Sequence, residues 1–257
     1  GDLAPHADKT AVMIGEGDLT WPDMLADFRA GKLQRRYLST GFVEYRTAPL
    51  PRWDLIPAGQ MAAIPVQASR GCPHHCEFCL VSELFGHKMR YRDIDNLVAE
   101  LESLPLKTVF FVDDNLTAHK QYARELMRRI KPLGLQWFCM ASIEITKFPD
   151  LLAEMAEAGC MHILIGFESL NPASLAETHK AQNHAETYAA AIETIHRAGI
   201  HVIGSFIIGF DHDTLEGYER LGDFFDKTNL WFPSLNILDV IPGSRLYRRI
   251  VDEGRWP

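Results

Sequence analysis

Three of the five cysteines in the chain stand within eight positions of one another. Cys72, Cys76 and Cys79 lie in the stretch SRGCPHHCEFCLVSELFG, residues 69–86, with the spacing C-x3-C-x2-C. Three thiols are an odd number for a disulfide framework, whereas thiolates are common ligands of iron–sulfur clusters and of zinc. The spacing predicts a metal or cluster site. In a four-iron cubane, three thiolates would leave one iron open to an outside ligand.

A structural zinc site is the alternative for the same cysteines, with His74 or His75 as the fourth ligand of a Cys3His set. Zinc sites usually pair one C-x2-C with a second, distant pair. The other two cysteines, Cys139 and Cys160, fall in apolar strand-like runs where a buried free thiol is expected. The pattern therefore favours a cluster, and a zinc-binding module without turnover stays open as an alternative.

Alternating strand and helix patterns must position this loop. Apolar residues at helical spacing, such as Tyr188, Ile192 and Ile195, separate short apolar runs, and two helices are predicted to end in C-caps at Gly159 and Gly199. This alternation predicts an α/β fold, a partial (β/α)6 TIM-like barrel whose functional rim lies at the carboxyl ends of the strands. The loop follows the first strand and is expected on that rim. The predicted strands are residues 63–69, 108–113, 137–142, 162–167, 202–208 and 235–240.

The N-terminal region has a different pattern. Residues 9–31 predict one strand, a Gly-Glu-Gly turn and an amphipathic helix that carries Trp21, Met24, Leu25 and Phe28. One β/α unit cannot bury both of its faces. This unit is therefore expected either to pack on the barrel or to be the end of a domain whose earlier units are not in this chain.

Composition limits the classes of function. With 257 residues and 47% hydrophobic residues, the chain can build a full-sized core. The net charge of -8, with 26 basic and 34 acidic residues, argues against a nucleic-acid partner. Apolar runs fall short of the roughly 20 residues of a membrane span, and the N-terminus lacks a signal pattern. A cytoplasmic protein with no membrane span is expected, which also suits free cysteines.

The cysteine motif in this context, with the aromatic Phe78 directly before the third cysteine, resembles the radical S-adenosylmethionine (SAM) enzymes. The segments GCPHHCEFC, FFVDDN, LIGFES, SFIIGF and IPGSRLY resemble the branch that carries an N-terminal cobalamin-binding domain of the Rossmann type. This resemblance predicts that residues 1–39 are the C-terminal remnant of that domain, 40–62 a linker, and 63–257 the radical SAM partial barrel. The part that would present a histidine to cobalt is not found in this sequence.

The resemblance implies the cofactors and partners. Cys72, Cys76 and Cys79 would bind three irons of a 4Fe-4S cluster, and SAM would chelate the fourth iron. Reductive cleavage of SAM would then give a 5′-deoxyadenosyl radical. Cobalamin is a further implied cofactor. The implied partners are a small, hydrophobic substrate molecule and an electron donor such as flavodoxin or ferredoxin.

Further site residues follow from the same resemblance. Phe78 is expected beside the adenine, with simple packing as the alternative. Asp113 and Asp114 follow the second strand, where a carboxylate can receive the methionyl ammonium. One acid is expected to face the cofactor while Asn115 or Thr117 caps the helix of residues 118–131.

Oxygens at later strand ends are expected to bind the ribose hydroxyls, and Glu168 is the preferred one. Gly204 and Gly209 are expected to let the backbone approach the adenine. Other candidates with a side-chain oxygen near the strand ends are Ser142, Glu144 and Ser205.

The sequence thus predicts a radical SAM enzyme, with cobalamin-dependent methylation of an unactivated carbon or of phosphorus as its reaction. Radical cyclisation or rearrangement without methyl transfer is the alternative within the same chemistry. Three tryptophans are expected either to contact a hydrophobic substrate or to lie in the core or an interface: Trp137, Trp231 and Trp256. No role is assigned to the loop histidines His74, His75, His87 and His119.

Overall fold

The computed structural model describes residues 10–57 and 59–256. They form two compact units, of which the first ends at Tyr45 and the second begins at Arg46. The division of the chain into a remnant, a linker and a barrel at residues 39 and 62 stays a prediction. A search of the described residues finds no helix with the length and hydropathy of a membrane span.

The first unit is a strand, a helix and a second strand. β1 (Val12–Ile14) leads into α1 (Gly17–Arg29), and β2 (Arg36–Leu38) pairs with β1 in parallel. The strand and helix were predicted, whereas β2 was not. Gly15 between them has φ +90°, and a Cβ there would lie 2.9 Å from the Cβ of Ser39, so this turn requires glycine.

The first unit leaves many apolar side chains in contact with solvent. Phe28 of α1 is 66% exposed and Trp21 is 48% exposed, although both were expected on the apolar face of the helix. Its other exposed large apolar residues are Met13, Ile14, Leu19, Leu33, Leu38 and Phe42. This exposure fits the expectation that one such unit cannot cover its own faces.

The second unit contains a six-stranded parallel sheet, which confirms the α/β class and the number of strands. The strands of the second unit include the six of this sheet and two short ones outside it. In chain order they are β3 (Ile64–Val66), β4 (Ser69–Arg70), β5 (Arg90–Tyr91), β6 (Thr108–Phe111), β7 (Gln136–Ala141), β8 (Cys160–Glu168), β9 (His201–Ile208) and β10 (Phe232–Ile237). The order across the sheet is β3-β6-β7-β8-β9-β10, and β4 pairs with β5 in a separate antiparallel ribbon. The predicted first strand, 63–69, is therefore two elements, and the last strand begins three residues before the predicted 235.

Helices follow the strands of this unit. They are α2 (Val81–Phe85), α3 (Ile94–Glu102), α4 (Lys120–Ile130), α5 (Pro149–Glu157), α6 (Pro172–Glu177), α7 (Tyr188–Arg197), α8 (Leu215–Thr228) and α9 (Arg245–Asp252). Gly159 and Gly199 each lie one residue beyond the C-cap, with φ +94° and +84°. A Cβ on Gly159 would lie 1.9 Å from the carbonyl oxygen of Leu135, so only glycine fits there.

The core lies between the sheet and the helices. Along β8, Ile163, Ile165 and Phe167 are fully buried on this face. Trp137 of β7 is buried in the same core, and its Nε1 donates to the carbonyl of Ala158 at 2.8 Å. Of the two alternatives for Trp137, the structure therefore supports the core rather than the substrate.

The remaining predictions about buried and exposed residues have mixed outcomes. Cys139 and Cys160 are buried free thiols, as expected. Trp231 is 56% exposed, and the ring of Trp256 packs against Tyr247. At the end of the sheet, β10 is hydrogen-bonded only to β9 among the described strands, and Ile237 is 80% exposed.

Candidate functional site

The three cysteines of the motif line one cavity of about 230 Å³. None of the three forms a disulfide, and Cys76 is the most deeply buried. Residues that follow β6, β7 and β8 line the same cavity, which therefore lies at the carboxyl ends of the strands. Its other lining residues are His74, Phe78, Val81, Asp114, Asn115, Met140, Ala141, Ser142, Leu164, Gly166, Glu168, Lys180, Gln182, Asn183 and Ser205.

The loop backbone donates hydrogen bonds to two of the sulfurs. The N–H of Val81 lies 3.4 Å from Sγ of Cys79, and the N–H of His74 donates to Cys72. Burial raises the pKa of Cys72 to about 11 and also raises the pKa of Cys79, so both are neutral thiols until a metal displaces the proton. In the described part of the chain, no group of three or more His, Cys, Asp or Glu side chains is arranged to bind a single metal ion.

A buried ion pair forms the wall of the cavity beside β8. Nζ of Lys180 lies 2.7 Å from Oε1 of Glu168, and their side chains are only 13% and 7% exposed. Burial opposes the charge of Lys180, but the pKa of the lysine is raised, and the attraction of Glu168 is the main cause. Sequence reasoning predicted Glu168 and missed Lys180.

The backbone around Glu168 is unusual. Glu168 has φ +66°, and the pairing of β8 with β9 shifts between Gly166 and Glu168. A Cβ on Gly166 would lie 2.3 Å from Oε1 of Glu168 and 3.1 Å from Nζ of Lys180. Glycine at 166 therefore leaves the space that the ion pair fills. Strained backbone of this kind is concentrated at functional sites.

The two neighbouring acids after β6 have separate environments. Asp114 lines the cavity, its Oδ2 is buried without a hydrogen-bond partner, and burial raises its pKa to about 6. Asp113 is fully buried and accepts hydrogen bonds from the N–H of Ala68 at 3.0 Å and from Oγ of Ser69 at 2.5 Å. Asp113 does not line the cavity, which corrects its prediction as a cofactor ligand: its carboxylate binds the chain at β4.

Helix α4 has a different cap from the predicted one. Nδ1 of His119, to which no role was assigned, accepts from the N–H of Tyr122 at 3.1 Å. Asn115 and Thr117 do not cap the helix. Instead Oδ1 of Asn115 lies 3.4 Å from both the N–H of Ser142 and Oγ1 of Thr117, and so links the ends of β6 and β7.

The remaining predicted residues divide between cavity and surroundings. Phe78, Ser142 and Ser205 line the cavity, and Nζ of Lys180 lies 5.9 Å from the ring centre of Phe78. Glu144 is not among the lining residues, but its carboxylate is 38% exposed and lies 3.6 Å from Nε2 of His74, which does line the cavity.

The two glycines of the β9 region do not contribute to the cavity wall. A Cβ on Gly204 would meet the ring of Phe206 at 3.0 Å and Leu230 at 3.1 Å, so Gly204 serves the packing on the helix side of the sheet. Gly209 has φ +104° in the turn after β9. For Gly204 the expectation that the glycine opens the backbone to a ligand is therefore corrected, whereas for Gly209 it stays a prediction; Gly166 is a glycine that lines the cavity.

Asn183 is a further residue that the sequence did not indicate. Its Nδ2 donates to the carbonyls of Gly166 at 2.8 Å and Phe167 at 2.9 Å, while its Oδ1 is buried without a partner. Together with Oδ2 of Asp114, this gives the cavity two buried acceptors that a ligand could satisfy. A lone lysine and a lone asparagine in a polar loop carry no spacing signal that would have identified them.

Comparison with known proteins gives a family match over most of the second unit. The model described as the Radical SAM superfamily matches residues 66–225. Bacteriochlorophyllide d C-12(1)-methyltransferase of Chlorobaculum tepidum is 30% identical over 96% of this chain and 56% of that protein. Hopanoid C-2 methylase of Rhodopseudomonas palustris is 31% identical over 80% of this chain and 41% of that protein. The chain thus spans about half the length of the curated relatives it matches.

A solved structure shares the fold. The cobalamin-dependent S-adenosylmethionine radical enzyme OxsB, with aqua-cobalamin bound, has a TM-score of 0.69 and 17% identity over 93% of this chain and 39% of that chain. This similarity of fold covers 93% of the chain, more than the residues that the family model matches.

Proposed function

The chain belongs to the radical SAM superfamily, and from that premise we propose that its second unit binds a 4Fe-4S cluster and SAM and cleaves SAM reductively. The observation that carries the proposal is that three free thiols share one cavity with a buried carboxylate–lysine pair at the carboxyl ends of parallel strands. When bound, the cluster and SAM would supply an electron transfer and a 5′-deoxyadenosyl radical.

The donor set fits a multi-iron cluster. Three cysteines that line one cavity suit a cluster in which each sulfur binds a different iron. Cys72, Cys76 and Cys79 would hold it, and the N–H groups that reach Cys72 and Cys79 would stabilise the charge on their sulfurs. The loop therefore offers both the ligands and part of the charge balance.

The polar side chains of the cavity match the groups of SAM. The Asp114 carboxylate, with an oxygen that has no partner, would accept from the methionyl ammonium. Lys180 is the cation that the cavity offers to the methionyl carboxylate, and it also orients Glu168. Glu168, with Asn183 beside it, would accept from the ribose hydroxyls. Phe78 would contact the adenine.

We propose methyl transfer that depends on cobalamin as the overall reaction. The names of the two relatives, each a methyltransferase or methylase, support methylation. The structural likeness to a cobalamin-dependent enzyme and the parallel β-α-β arrangement of the first unit support cobalamin. The first unit would then be the end of a cobalamin-binding domain, as the sequence predicts.

A hydrophobic small molecule is the proposed substrate, and a low-potential flavodoxin or ferredoxin the proposed electron donor. Apolar side chains on the cavity face of the sheet support a hydrophobic substrate. Met140 and Leu164 line the cavity, and the rings of Phe110 and Phe138 stack on the adjoining strands with centres 4.5 Å apart. An apolar substrate would bury this surface.

Anaerobic reconstitution of the chain with iron and sulfide tests the proposal. We expect a brown protein with about four irons per chain, and 5′-deoxyadenosine after addition of SAM and a reductant. Colourless protein with bound zinc and no sulfide would establish the zinc-binding alternative instead. Addition of cobalamin, followed by mass analysis of the product, separates methyl transfer from cyclisation or rearrangement.

A further inference from the structure

Glu77, between the second and third cysteine, is held by its backbone and by its side chain. Its N–H donates to the carbonyl of Thr178 at 3.0 Å, and its carbonyl accepts from the N–H of Leu246 at 2.9 Å. Its carboxylate, 8% exposed, accepts from Nε of Arg249, which lies 3.0 and 3.1 Å from the two oxygens. The position of the cysteine loop is therefore set by residues more than a hundred positions later.

Arg249 joins this loop to other elements. Its Nη2 donates to Oε1 of Glu177, the last residue of α6, at 2.8 Å. Its Nη1 lies 3.5 Å from a carboxylate oxygen of Asp211, in the turn after β9, and 3.5 Å from Glu253. One guanidinium thus bridges the cysteine loop, α6, the turn after β9 and the end of α9.

The end of α6 leads directly to the buried ion pair. Thr178, which holds Glu77, stands two residues before Lys180. His179 between them has φ +56°, and Glu168, the partner of Lys180, has φ +66°. The only other non-glycine residue with positive φ in the described ranges is Asn229, the C-cap of α8. Such backbone persists where the surroundings over-determine it.

We propose that Arg249 is a positioning residue: through Glu77 and Glu177 it fixes the cysteine loop relative to the Lys180–Glu168 pair, and so sets how SAM meets the cluster. The identity of the bound groups rests on the proposed function, whereas the mechanical link does not. Without the guanidinium, the largely buried carboxylates of Glu77 and Glu177 would lose the cation they share, leaving, of the described basic groups, only His212 near Glu177, and the loop and α6 would separate. Lysine would restore the charge but not the fork of donors that reaches both acids.

Four variants of the full chain test this link. Arg249→Met removes the bridge, and Arg249→Lys keeps the charge. The double variant Arg249→Met/Glu77→Gln also removes the negative charge that Glu77 would otherwise keep without its partner. It should therefore fold even if the single variant Arg249→Met does not. Arg248→Met is the matched control, because Arg248 lies on the same helix, is 58% exposed and pairs with Glu83 instead.

Hydrogen–deuterium exchange of the metal-free proteins is the first readout. We expect Arg249→Met, and the double variant with it, to exchange faster than the parent in both residues 72–80 and residues 178–183. Arg248→Met should match the parent in both segments. Faster exchange confined to α9, with residues 178–183 unchanged, would overturn the link.

SAM titration of the reconstituted, reduced proteins, followed by the electron paramagnetic resonance signal of the cluster, is the second readout. We expect the SAM concentration for half-conversion to rise about tenfold in Arg249→Met, the effect of one lost charged hydrogen bond, with partial recovery in Arg249→Lys. An unchanged titration with a lower melting temperature would reduce Arg249 to a stabilising role. If the parent protein binds neither cluster nor SAM, the proposed function fails, and the exchange experiment still decides the link.

Discussion

The two faces of β8 differ in what they require of their residues. Ile165 and Phe167 face the helices and are fully buried. Gly166 and Glu168 line the cavity: a Cβ on Gly166 would displace the carboxylate of Glu168, Glu168 itself has positive φ, and its charge forms a buried pair with Lys180. The packed face stabilises the fold, whereas the cavity face holds features that cost stability. Substitutions on the two faces should therefore separate stability from chemistry.

The largest effect is expected from Cys76→Ala on the cavity side. Loss of one thiolate should abolish formation of 5′-deoxyadenosine and lower the iron content of reconstituted protein, because one iron of the cluster loses its ligand. Cys139→Ala, a buried cysteine of the packed face, is the control. It should lower the melting temperature and retain product formation. Retained product in Cys76→Ala would remove the basis of the assignment.

Phe206→Ala tests the packed face. Phe206 is fully buried, and its ring centre lies 5.0 Å from that of Phe225 and 5.4 Å from that of Phe167. Truncation should lower the free energy of unfolding by about 3–5 kcal/mol, measured by urea denaturation. SAM affinity of the folded fraction at low temperature should fall less than in Gly166→Ala, because the ring of Phe206 faces the helices, although its backbone pairs with Glu168. A large loss of affinity would show that the two faces are coupled.

Gly166→Ala brings a side chain into the cavity face. The new methyl group would meet the carboxylate of Glu168 and push it away from Lys180. We expect SAM to bind about tenfold to a hundredfold more weakly, the cost of one or two disturbed charged hydrogen bonds, as measured by equilibrium dialysis. Gly222→Ala, in α8 with open space around it, should leave binding unchanged and slightly raise the melting temperature.

The smallest effect is expected from Asp113→Asn, which changes a buried acid in the turn after β6. Burial raises the pKa of Asp113 to about 7 from the usual value of 3.8. The unfolded chain therefore loses this proton at lower pH than the folded chain, and its contribution to stability falls as pH rises from about 4 to about 7. Asparagine should remove that contribution, so that the melting temperature declines less over this range than in the parent. Identical pH profiles would contradict the raised pKa.

The sequence predicts the cysteine motif and the sheet around the site better than it predicts the contacts of the side chains. The cysteine spacing and the repeated β/α pattern identify the family and the sheet, because both are local signals. The sequence pattern could not predict which of Asp113 and Asp114 faces the cavity. β6 ends at Phe111, and the direction of each acid depends on the turn that follows. Lys180 was missed because it reaches Glu168 from a turn twelve residues later.

Two other differences have simple physical causes. β2 is only three residues long and lies among polar residues, so its apolar content gave no strand signal. Trp137 belongs to a parallel strand with apolar residues on both faces, where alternation does not reveal which face is the core. The length of a strand and the environment of each face thus limit what a pattern can predict.

The position of β10 at the end of the sheet implies a gradient of local opening across the molecule. Among the described strands, β10 has one neighbour and mostly exposed side chains, whereas β7 and β8 each have two neighbours and buried residues along one face. Transient opening should therefore begin at β10 and reach β7 last. Ser205, on the neighbouring β9 and within reach of Asn236 in β10, would be released in these fluctuations well before the residues that follow β7.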